Sequence, residues 1–99
     1  MGMIKMEREF EIRNQYGIHA RPAALIVGIA SRCDGEVWVV KGDDDDDDAV
    51  SAKSIMGLIT LEASSGTILK FTIEDAAGNA EQILDELEEL LHVRKFDED

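Results

Sequence analysis

Between Thr67 and Glu74, apolar Leu69, Phe71 and Ile73 alternate with Ile68, Lys70 and Thr72. A period of two sends successive side chains to opposite faces of a strand, so this segment belongs to a sheet with one side covered. The same period appears near the start, where Glu7, Glu9 and Glu11 alternate with Arg8, Phe10 and Ile12. Glu36 to Lys41 is a further strand, strongly β-prone through Val37, Trp38, Val39 and Val40. If Val37 and Val39 face inward, Trp38 lies on the open face as a packing residue or a partner contact. Ala49 to Ala52 can return as a short strand after the run Asp43 to Asp48, which reads as a solvated hairpin tip.

What covers the sheet must be helical. From Ala20 the pattern changes to an apolar stripe of Ala23, Ile26, Val27 and Ala30, with Pro22 in the first turn, where its missing N–H costs nothing. Asp34-Gly35 ends that helix. Lys53 to Thr60 reads as a short helix with Gly57 as its weak point. Asn79 is a candidate N-cap for a last helix from Ala80 to His92, with Ile83, Leu84, Leu87, Leu90 and Leu91 on one face. The order β-α-β-β-α-β-α implies an α+β fold, a four-stranded antiparallel sheet with three helices on one face. Ninety-nine residues suit one domain, 1–99, around one modest core.

The net charge of −12 argues against nucleic acid and anionic membranes as partners. No apolar run is long enough for membrane insertion. Lys5, Glu7, Arg8 and Glu9 stand where a signal peptide would be apolar, and Met6 does not fit a myristoylation signal. The single Cys33 has no disulfide partner, which suits a cytoplasmic location. No metal site is expected: the histidines, His19 and His92, stand far apart, and the aspartate run lacks the alternation of a calcium loop.

The most unusual local combination is Gly17-Ile18-His19-Ala20-Arg21-Pro22-Ala23. It sets a histidine just before the first amides of a helix, which lack intrahelical acceptors and carry partial positive charge. Such a terminus attracts anions, and Arg21 adds a planar cationic fork suited to phosphate oxygens. A neutral imidazole is a competent nucleophile toward phosphorus. From the residues alone two readings stay open, an idle or structural histidine and a phosphoryl acceptor.

That run resembles the active-site signature of HPr, the histidine-containing phosphocarrier of the bacterial phosphoenolpyruvate-dependent phosphotransferase system. A second stretch, Ser51-Ala52-Lys53-Ser54-Ile55-Met56-Gly57-Leu58, resembles that family's regulatory-serine region. The two follow in family order, with the aspartate run as extra length between them. The resemblance spans Phe10 to Leu91 and implies an open-faced β-sandwich of four antiparallel strands and three helices. It implies a carrier rather than a stand-alone catalyst, monomeric and without a cofactor, in sugar transport. His19 would accept the phosphoryl group on Nδ1, the pros nitrogen, from enzyme I and pass it to IIA-type domains. The Ala20 and Arg21 amides and the Arg21 side chain would hold its oxygens. Ser54 would be open to an HPr kinase/phosphorylase, or serve only as an N-cap. Ile55, Met56 and Leu58 would form an apolar docking patch. Tyr16 replaces a small polar residue often found in the family. The closing Phe96-Asp97-Glu98-Asp99 resembles nitrogen-related HPr paralogues, which implies an alternative role as a regulatory docking module.

Overall fold

Residues 4–97 are described by the computed structural model; residues 1–3 and 98–99, which enter the readings of a lipid signal and of the C-terminal likeness, lie outside the described residues. Along them run β1 (Ile4–Glu11), α1 (Ala20–Ala30), β2 (Gly35–Lys41), β3 (Val50–Ser51), α2 (Ile55–Thr60), β4 (Ile68–Asp75) and α3 (Ala80–Glu88). The strands form one antiparallel sheet in the spatial order β1-β4-β2-β3. The fold is α+β, with the helices on one face, as expected.

The alternation on β4 sorts as the sequence implies. Leu69, Phe71 and Ile73 are buried, while Lys70, Thr72 and Glu74 look outward. The register sets Phe71 between Arg8 and Val39, and Ile73 between Met6 and Val37. Ile26 of α1, Leu58 of α2, and Leu84 and Leu87 of α3 close over that face and lose all or nearly all solvent contact. Each such large side chain contributes about 1.5–3 kcal/mol by leaving water. Arg8 reaches from the edge strand to Asp85 and Glu88 of α3, at 2.9 and 3.1 Å, and pins that helix across β1.

Three local readings are corrected. The last helix is α-helical only to Glu88 and continues as a π-turn over Glu89–Val93, closed by Arg94 N–H donating to the Glu89 carbonyl at 2.9 Å. The wider turn sends the neighbours Leu90 and Leu91 both into the core. Phe96 follows, buried despite a left-handed backbone at φ +58°. Asn79 stands at the N-cap of α3 but makes no side-chain cap; the buried Asp75 carboxylate takes the Asn79 N–H instead, together with those of Asp34 and Ala77. α2 begins at Ile55, because Lys53 is drawn elsewhere: its ammonium donates to the carbonyls of Cys33 at 3.0 Å and Gly35 at 2.6 Å.

Candidate functional site

The turn before α1 is shaped by three backbone-level constraints. Asn14, itself buried, donates from Nδ2 to the Gly17 carbonyl at 2.8 Å. Gly17 takes φ +69°, and a Cβ there would lie 2.3 Å from the Ala63 carbonyl oxygen, so only glycine fits. One residue on, the Ile18 N–H donates to that same oxygen at 2.9 Å. The loop leaving α2 therefore holds the turn from below.

His19 emerges from this turn as the N-cap of α1, exposed, with an extended backbone (φ −123°, ψ −164°) and no side-chain cap bond. The His19 carbonyl accepts the Ala23 N–H at 2.9 Å, the first intrahelical bond. Ala20, Arg21 and Pro22 precede that bond, and Pro22 has no N–H to offer, so the first turn presents the amides of Ala20 and Arg21. No acidic residue stands in that turn to compete for them. Arg21 is exposed. Asp97 is held below the usual carboxylate range first by its bond to Arg94, with the Arg21 charge adding to the effect.

The second motif resolves into different roles. Ser54 is the N-cap of α2, and its Oγ accepts the Gly57 N–H at 3.0 Å. Ile55 and Met56 are both exposed, 41% and 68%. Leu58 is not: it is fully buried, which removes it from the expected docking patch. Leu58 lies on the side of α2 that packs onto the core, whereas Ile55, at the first helical position, and Met56 lie toward solvent. Tyr16, at 66% exposure on the turn before His19, is the large apolar surface residue that takes Leu58's place in number.

One residue that holds the site, Ala63, was not singled out from the sequence. Ala63 carries no chemistry of its own and acts only through its carbonyl, so nothing in the sequence marks it. Asn14 and Gly17 had a signal, the Asn-to-Gly spacing of a turn stapled by an amide side chain. Among the described residues no group of three or more histidine, cysteine or acidic side chains could hold a metal ion. No described helix is long and apolar enough to cross a membrane.

Comparison with known proteins agrees with this geometry. Residues 6–92 match the family model described as "PTS HPr component phosphorylation site". The chain is 44% identical over 63 residues to the phosphocarrier protein HPr of Treponema pallidum, covering 64% of this chain and 67% of that one. It is 35% identical over 96 residues to the phosphocarrier protein NPr of Shewanella violacea, covering 97% and 98%. Its fold is similar to the crystal structure of HPr-C-His from Thermoanaerobacter tengcongensis, with a TM-score of 0.79, 38% identity, and 95% and 98% coverage.

Proposed function

The chain belongs to the HPr family of phosphocarriers, and from that premise we propose that His19 is its phosphoryl acceptor in a single carrier domain. The neutral imidazole offers its Nδ1 lone pair to the phosphorus of phosphorylated enzyme I. The bond from phosphorus to the donor breaks as the new N–P bond forms, and the donor keeps the electron pair. The reverse exchange delivers the group to a IIA-type domain. Such a transfer relies on positioning and charge stabilisation more than on covalent help. The amides of Ala20 and Arg21 face the phosphoryl oxygens, and the Arg21 guanidinium pairs with them. The observation that carries this reading is the start of α1, an exposed histidine at an N-cap that its own side chain does not close.

Tyr16, Ile55 and Met56 supply exposed apolar surface for the partners to grip. An HPr kinase/phosphorylase acting on Ser54 adds about two negative charges beside Ile55 and Met56, which opposes enzyme I docking. In this reading the protein works as a cytoplasmic monomer without a cofactor.

The test is incubation with enzyme I and phosphoenolpyruvate, followed by intact mass. The expected result is a gain of one phosphoryl group that survives base, is lost in acid and is absent from His19→Ala. No gain with a cognate enzyme I overturns the reading. Kinase and ATP, with Ser54→Ala as control, test the regulatory branch.

One observation favours a second reading, a regulatory relay of the nitrogen-related type rather than sugar uptake. The Shewanella violacea NPr aligns along 97% of this chain, against 64% for the Treponema pallidum HPr. Faster phosphorylation by a nitrogen-related enzyme I than by a sugar-system enzyme I would select it.

A further inference from the structure

The helices leave the other side of the sheet uncovered, and that side is not flat. The residue 43–48 segment, with a 3₁₀ turn at Asp46–Asp48, folds back over the strands. Asp46 holds it there through an ion pair to Lys70 of β4 at 2.8 Å. Between turn and sheet lies a hollow of about 350 Å³, with Trp38 of β2 in its lining and Val40 and Ala49 as further apolar surface. Trp38 keeps 37% of its surface exposed.

The charge around this hollow is unbalanced. Glu7 and Glu74 from the strands, with Asp46 and Asp47 from the turn, face Lys5 and Lys70. Lys70 is already engaged by Asp46 and lies 4.0 Å from Glu7. The rest of the turn adds only aspartates, all exposed. An aromatic ring on an acidic, concave floor fits one kind of visitor, a cationic side chain that lies on the ring and meets carboxylates at its end. A second copy of this chain does not fit, since it carries −12 itself.

We infer that the open sheet face is a second docking surface, which receives a basic, extended segment of a partner protein with an arginine or lysine seated on Trp38. It lies across the sheet from the helix layer that bears His19, so both faces can be occupied together.

Trp38 is the only tryptophan, so its emission reports on this face alone. The probe is a ten-residue peptide of alternating arginine and serine, with a glutamate-for-arginine peptide as control. The expected result is a saturable change in Trp38 emission with the arginine peptide only. Asp46→Asn with Asp47→Asn should weaken binding about five-fold. Glu81→Gln with Glu89→Gln, which removes the same charge from the helix side, should leave it unchanged. Calorimetry on Trp38→Ala should show a loss of about three-fold, with Trp38→Phe retaining most of the affinity. Equal weakening by the two double variants reduces the effect to net charge and overturns the inference. So does binding that leaves Trp38 emission unmoved, or no binding at all.

Discussion

The three helices begin in three different ways. α2 is closed by its own N-cap, with the Ser54 hydroxyl on the Gly57 amide. At α3 the N-cap Asn79 makes no side-chain cap, and the Asp75 carboxylate at the end of β4 takes the Asn79 N–H instead. At α1 the N-cap is His19, whose side chain makes no such bond, and Pro22 removes one of the amides that needed an acceptor. Two helix starts thus have a side-chain oxygen on one of their amides, while the first turn of α1 presents the amides of Ala20 and Arg21 next to an exposed His19. An uncapped terminus costs stability, and in the proposed carrier reading the contrast marks where this chain gives up stability for anion chemistry.

Substitutions at the three caps break this contrast in graded ways. The largest effect is expected from Asp75→Asn, because the amide would turn an N–H toward at least one of the three N–H groups the carboxylate now receives. Chemical denaturation should show a loss of about 2 kcal/mol. Burial works to raise the Asp75 pKa, but the amides of Asn79, Ala77 and Asp34 outweigh it and hold it below 3.8. Its contribution is therefore complete at neutral pH and is lost as pH falls through that lowered value. The asparagine variant should lose less stability than wild type over that acid range, and an equal loss would count against Asp75 as the closing group. Ser54→Ala should cost about 1 kcal/mol while leaving phosphoryl uptake at His19 intact. His19→Ser should go the other way. The backbone there already has N-cap geometry, so a hydroxyl should raise stability by about 0.5 kcal/mol and abolish uptake. A destabilised His19→Ser would mean that the imidazole itself supports the turn.

How much of this was legible in the sequence depends on how local the cause is. The strands follow from alternation, and β4 kept its pattern because side-chain direction along a strand is a matter of counting. The His19 turn was equally readable, since glycine, histidine, arginine and proline each act within a few residues of one another. Leu58 was assigned to the docking patch and lies in the core, because a six-residue helix is too short for its own pattern to fix which side faces the sheet. Asp75 was not singled out, and Lys53 read as part of a helix. Each is placed by backbone groups distant in sequence, Asp34 for one and Cys33 and Gly35 for the other. The π-turn after α3 escaped for the same reason, as it answers to the core beneath Leu90 and Leu91.

The strand order has a consequence for the birth of the molecule. β1 is the first strand made, yet β4 is its neighbour in the sheet, with Ile4 opposite Asp75. A ribosome must therefore release most of the chain before the first strand finds its place, and that long loop closure slows folding. Until then β1 waits as an unpaired edge. Glu7, Glu9 and Glu11 along it repel the same segment of a neighbouring nascent chain, a guard against premature pairing written into the strand that waits longest.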